Sequence, residues 1–204
     1  NNISSRKVLI FTDSRGQYKA SFSNKNIFTK KLHQYFKNKN IQCDMMLCPF
    51  KWTSTIDFIQ CIEEKHINPD IYDIIILYTG VVEYSPRPLS NFYEAFYKYD
   101  EKISIDRLIK NKPPRILNNK KQFFINFFGL NNLNIMNYDI KYNEEDTRSL
   151  INLKMHELYV IPYLQRLNNK LLFINSNKIA EGWEGNYLKK NPLGRPKNIN
   201  IINT

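Results

Sequence analysis

At 204 residues and 42% hydrophobic content, the chain can bury a sizeable core without disulfide staples, which excludes a solvated tail or a small disulfide scaffold. Its net charge of +11 favours polyanionic partners, yet there is no zinc-finger spacing, RNP-like aromatic motif or long basic block, so specific nucleic-acid binding is not expected. No apolar run approaches the ~18 residues of a membrane helix, residues 1–7 lack a signal peptide's apolar core, and Cys43, Cys48 and Cys61 read as small buried residues of a reduced, cytoplasmic compartment.

In chain order, the first predicted strand spans about Arg6 to Thr12 and stops abruptly in Thr12-Asp13-Ser14-Arg15-Gly16. This turn sets a hydroxyl where a buried strand meets solvent, the place at which an open α/β sheet presents chemistry. Asp13 and Ser14 equally suit a cap, because both side chains accept backbone N–H groups. A helix over about Ile27 to Lys39 carries Phe28, Leu32, Tyr35 and Phe36 on one side, and a short second strand covers Asp44 to Cys48. Ser54-Thr55-Ile56-Asp57 offers a capping box to a helix whose Ile56, Phe58, Ile59 and Ile62 face a core and which runs out near His66. Ile71 to Tyr78 is the strongest strand, and its unbroken apolar centre implies cover on both faces.

Residues 85–121 hold Pro86, Pro88, Pro113 and Pro114 around an aromatic segment, Phe92 to Tyr99, and read as an inserted cap or lid. Gln122 to Phe128 is predicted as a fourth strand. A long helix is expected from about Glu145 to Asn168 on the recurrence of Leu150, Leu153, Leu158, Ile161 and Leu164, then a fifth strand over Lys170 to Asn175. From Ile179 to Thr204 the chain is polar and rich in Gly and Pro; loops of this length are functional or disordered, and Trp183 with Tyr187 favours order. The expectation is one α/β domain over residues 1–204, a three-layer α/β/α sandwich with a mostly parallel, flavodoxin-like five-stranded sheet.

Ligands of such sheets sit beyond the carboxyl ends of the strands. Four segments fall at those predicted ends: Thr12 to Gly16, Thr79 to Pro88, Phe128-Gly129-Leu130-Asn131-Asn132, and Glu181-Gly182-Trp183-Glu184-Gly185-Asn186-Tyr187. Asp13, Arg15, Glu83, Arg87, Glu181, Glu184 and Arg195 would share one pocket, where arginine binds a carboxylate or phosphate in bidentate fashion. In the alternative, Asp13 and Glu83 pair with Arg15 and Arg87 to hold loops together. Trp183, Tyr187 and Trp52 are either sugar-stacking or packing residues. No phosphate loop, dinucleotide fingerprint or metal-ligand cluster occurs, so neither cofactor nor metal is expected.

The strand leading into Thr12-Asp13-Ser14 and the later Gly80-Val81-Val82-Glu83 resemble, in that order, the first and third blocks of the SGNH or GDSL-like hydrolases. Thr12 replaces the family's first glycine, and Val82 stands where its oxyanion-binding Asn belongs. Tyr84-Ser85-Pro86-Arg87-Pro88 is similar to a variant in which an acidic residue and a Pro-Arg pair follow the third strand. Pro49 to Ser54 lacks the second-block glycine. Aligning the fifth block, Asp-x-x-His, by position puts Glu184 and Tyr187 there, and no histidine follows His156.

The resemblance implies Ser14 as nucleophile, with Asp13, Glu184 and Tyr187 in the catalytic set and an oxyanion hole from the Ser14 N–H and a glycine. Arg15, Gly80, Glu83, Arg87, Asn131, Trp183 and Arg195 are the substrate-contact candidates. His33, His66 and His156 fall on or beside helices and read as surface or core residues. Two functions are expected as alternatives. One is an SGNH-like esterase or acyltransferase acting on a small molecule or acylated glycan, with an anionic substrate. The other is a module of the same fold that has lost hydrolysis and binds an anionic saccharide or polymer in a surface-polysaccharide pathway. Bulk-charge binding of nucleic acid is a third, salt-sensitive option.

Overall fold

The computed structural model describes residues 6–13, 28–47, 53–80, 83, 87–88, 103–107, 115–117, 120–129, 138–142, 144–167 and 169–174. Its centre is strand β1, Lys7–Thr12, whose residues after Lys7 are all buried. β2, Gln42–Leu47, and β3, Ile74–Tyr78, pair with β1 in parallel on its two sides, Val8 opposing Cys43 on one and Ile74 on the other. Because successive side chains point to opposite faces, a strand buried at every position needs cover on both faces, and β1 has it. Leu9, Phe11, Ile75 and Leu77 belong to one core cluster; Val8, Ile10 and Ile76 belong to another.

The second cluster is covered by helix α1, Phe28–Asn38, through Phe36 and the half-buried Leu32. The first is covered by α2, Thr55–Glu63, which contributes Ile56, Phe58 and Ile59. Phe11 and Phe58 meet at 5.2 Å between ring centroids, and burying each ring is worth about 2–3 kcal/mol. The expected apolar side of α1 is therefore narrower than Phe28, Leu32, Tyr35 and Phe36 together. Thr29 and Phe36 are its buried residues, while Phe28 is 44% and Tyr35 56% exposed.

The strands β4, Arg87–Pro88, β5, Ile103–Arg107, and β6, Arg115–Leu117, fall within the stretch expected to form a cap. β5 pairs antiparallel with β2 and β6 with β5. Phe92 to Tyr99 lies outside the described residues. Gln122 to Phe128 is not a strand. It lies within helix α3, Lys120–Phe128, in which Phe124 and Phe128, one helical turn apart, are buried against the first cluster. A short apolar run cannot be assigned by periodicity alone, and here the four phenylalanines satisfy the helical spacing.

The long helix expected from Glu145 is also shorter than its leucine pattern. β7, Tyr138–Tyr142, and β8, Glu145–Arg148, form an antiparallel pair, and β4 joins β8 to complete a three-stranded ribbon. Helix α4 then joins Leu153–Met155, a π-helical turn His156–Val160 and Ile161–Gln165. Asn152 caps it, its side-chain oxygen accepting the Met155 N–H at 2.8 Å. The widened turn ends two residues before Pro162, and a proline ring crowds the carbonyl four residues back, here within that turn. β9, Leu171–Phe173, then pairs in parallel with β3. Among the described residues the main sheet joins strands in the order β6-β5-β2-β1-β3-β9, with its last four parallel, and is thus mostly parallel as expected.

Cys43 and Cys61 are buried. Burial, reinforced by Asp44, pushes the Cys43 thiol up to about 12, which keeps it protonated and inert. Cys48 lies outside the described residues.

Candidate functional site

β1 and β3 leave the sheet side by side at its carboxyl edge. The Asp13 N–H donates to the Tyr78 carbonyl at 3.1 Å, which extends the pairing one residue beyond β1. Asp13 is 1% exposed. β3 exits through the buried Thr79 and through Gly80, whose φ of 116° is a conformation that favours glycine.

The N-terminus of α2 meets this edge. Its first turn carries the expected capping box: Asp57 Oδ2 accepts the Ser54 N–H at 2.6 Å and the Ser54 hydroxyl at 2.9 Å. The Thr55 N–H points instead at Glu83, 3.1 and 3.2 Å from its two carboxylate oxygens. The Thr55 hydroxyl donates to Glu83 Oε1 as well. With Glu83 ionised, the one proton of the Thr55 hydroxyl is used there, and the 2.8 Å contact between Thr55 Oγ1 and Thr79 Oγ1 is donated by Thr79. The Glu83 carbonyl in turn accepts the Ile151 N–H at 3.0 Å. One residue therefore ties the exit of β3, the start of α2 and the approach to α4.

Glu83 has 0% of its surface exposed. Burial raises its carboxyl to about 7, and the Asp13 and Asp57 charges push the same way, while the bonds from Thr55 oppose them. The N-terminus of a helix also favours negative charge. Near neutral pH this group stands between its charged and neutral forms, enclosed and already bonded. Of the two expectations for Glu83, substrate contact or a group that holds loops together, its enclosure and its bonds to Thr55 favour the second.

The other face of the same edge carries aromatic side chains. Tyr78 is half-buried, and Phe28, the first residue of α1, lies against it edge-to-face at 5.8 Å. The histidines are elsewhere. His66 lies beyond the far end of α2, about 14 Å of helix from the carboxyl edge, with Nε2 3.1 Å from Glu64 Oε2. His33 is exposed on α1. His156 is half-buried and its imidazole is held below the usual range by burial, against the opposing charge of Glu157. It lines a groove of about 300 Å³ with Ile161, Leu164, Gln165, Leu171 and Phe173.

Of the residues singled out from the sequence, Asp13, Gly80 and Glu83 come together. Arg87 lies in β4, where its backbone opposes Arg148. Ser14, Arg15, Trp52, Asn131, Glu181, Trp183, Glu184, Tyr187 and Arg195 lie outside the described residues. The argument that put Asn131 at a strand end fails, because the segment before it is α3, closed by Gly129 at φ 62°. Sequence reasoning missed Thr55 as the partner of Glu83, 28 residues away. Its only local signal was its place inside the capping box.

Among the described residues, no group of three or more His, Cys, Asp or Glu side chains could hold a metal ion, and no helix is long and apolar enough to cross a membrane. No protein-family model matches the chain, and neither a curated protein nor a solved structure matches it.

Proposed function

We propose that this chain is an SGNH-like ester hydrolase or acyltransferase, with Ser14 as nucleophile and an acylated, anionic glycan as substrate. One observation carries the reading. β2 and β3 lie on opposite sides of β1, so the direction of winding reverses between β1 and β3, and the carboxyl ends of two such strands bound the crevice where open α/β sheets bind ligands. Asp13 stands at one of those ends and Thr79, Gly80 and Glu83 follow the other. The order β2-β1-β3-β9, with α1 on one face and α2 on the other, supports a flavodoxin-like, three-layer arrangement for the whole domain.

In this reading Ser14 Oγ attacks the acyl carbonyl, the ester C–O bond breaks, and the released sugar hydroxyl takes up a proton. Water then resolves the acyl-serine in hydrolysis, or a second hydroxyl does so in transfer. The Ser14 N–H and a glycine N–H receive the developing oxyanion. Glu184 or Tyr187, on the segment that follows β9, supplies the base. Glu83 keeps α2 and the exit of β3 in register around the crevice.

Turnover of an aryl acetate and of an acetylated oligosaccharide tests the proposal. Ser14→Ala is expected to lower kcat by about 10³-fold or more. An inactive parent, or a variant as fast as the parent, rejects the reading and leaves the glycan-binding module in its place.

A further inference from the structure

The helix α1 presents two kinds of side chain that the ester chemistry does not use. Its buried arc is narrow, Thr29 and Phe36 with half-buried Leu32. A separate stripe, repeating every three or four residues, runs through Phe28, Lys31, Tyr35, Asn38 and Lys39, and every residue in it is exposed. Large aromatic side chains usually anchor a helix to its sheet. Here the two of this stripe face outward instead, Tyr35 at 56% exposure and Phe28 at 44%, separated by about 10 Å along the axis with a lysine between them and another beyond.

The stripe begins at the candidate site. Phe28 touches Tyr78, and the carbonyl of Tyr78 accepts the N–H of Asp13, the residue before Ser14. At its other end the Gln42 N–H donates to the carbonyl of Arg6, an exposed residue. No Asp or Glu occurs anywhere from Phe28 to Gln42. Asp73, at the same end of the sheet, is engaged by the Lys7 N–H at 2.7 Å.

We infer that this stripe is a binding track for an anionic polysaccharide, which stacks sugar rings on Phe28 and Tyr35, sets its carboxylates against Lys31 and Lys39, and leads a chain toward Asp13 at the carboxyl end of β1. Aromatic rings spaced along the track suit sugar faces separated by polar linkages, and lysine, a point charge without a fixed fork, suits a repeating charge of variable geometry. The identity of the polymer as a glycan rests on the acylated-glycan reading above, whereas the track itself is independent of whether Ser14 attacks.

Calorimetric titration of the full chain with polygalacturonate, whose sugars each carry a carboxylate, tests the track beside an oligothymidylate of matched charge. Tyr35→Ala is expected to weaken glycan binding about fivefold to tenfold, with an unchanged circular dichroism spectrum, and Tyr35→Trp to hold the parent affinity. Lys31→Gln is expected to weaken it about threefold and to flatten its salt dependence. Absence of glycan binding by the parent, parent-like binding by Tyr35→Ala, or tighter Tyr35-dependent binding of the oligothymidylate each overturns the proposal; the last assigns the stripe to single-stranded nucleic acid. Aryl acetate turnover by the parent is read separately, so failure of the track and failure of the esterase reading leave different results.

Discussion

The two faces of the sheet's carboxyl edge handle polar and aromatic groups in opposite ways. On the α2 face, Asp13, Thr55, Asp57, Thr79 and Glu83 are all buried, and Glu83 has its bonds to Thr55 completed inside the protein. On the α1 face, Phe28 lies partly exposed against the half-buried Tyr78, and Tyr35, two turns along the helix, is exposed. Asp13 and Glu83, which sequence reading places in a ligand pocket, are internal, and Phe28 and Tyr35, which it places on the apolar side of α1, are 44% and 56% exposed. Substitutions on the α2 face should therefore act on stability and pH dependence, and those on the α1 face on binding.

The largest expected effect is on the packing that supports the α2 face. Phe58→Ala removes the ring that meets Phe11 and should cost about 3–5 kcal/mol in urea unfolding; a loss under ~1 kcal/mol would mean that α2 does not depend on this contact. Glu83→Gln comes next. The folded-state pKa of Glu83, about 7, lies above the ordinary 4.5. Its neutral form is therefore accommodated fully below about pH 4.5, and stability is lost as pH rises through 7, by roughly 3 kcal/mol in all. Glutamine carries no charge to bury. The stability difference, parent minus variant, should fall between pH 4.5 and 8, and a difference that stays flat across that range would show that Glu83 titrates normally.

Thr55→Val is expected to cost about 1–3 kcal/mol, because it keeps the shape but withdraws the hydroxyl that serves both Glu83 and Thr79. Removing that hydrogen bond also removes an influence that lowers the Glu83 pKa. The pH midpoint of the stability curve should therefore move upward in this variant, and a downward shift would contradict the assigned donor directions.

What the sequence made legible follows the range of the interactions. β1, α1, α2 and β3 were readable because their signals are local: a continuous apolar run for β1 and β3, and Ser54 with Asp57 for the start of α2. Gln122 to Phe128 was misread because seven residues rich in phenylalanine fit both periods, and only contact with α2 and α4 decides between them. Glu145 to Arg148 was absorbed into a helix because its pairing partners, Tyr138 to Tyr142 and Arg87, are set by the ribbon and not by its own pattern. At the site, Asp13 and Gly80 were found through strand ends. The role of Glu83 was not, since Thr55 is brought to it only when β3 and α2 pack together.

The smallest expected effect sharpens the comparison most. Phe28→Ala removes a ring that is nearly half exposed and whose described aromatic partner is Tyr78. Edge-to-face contact of that kind is worth about 0.5–1.5 kcal/mol, less where water reaches the rings, so the loss in urea unfolding should be ~0.5 kcal/mol, far below that of Phe58→Ala. Both are phenylalanines on helices beside the same two strands, and volume alone would make their removal equivalent. A loss approaching 3 kcal/mol would mean that Phe28 is a core residue. A small loss would mean that the ring's position at the lip of the site is not accounted for by folding, which leaves contact with a ligand as the role to be measured.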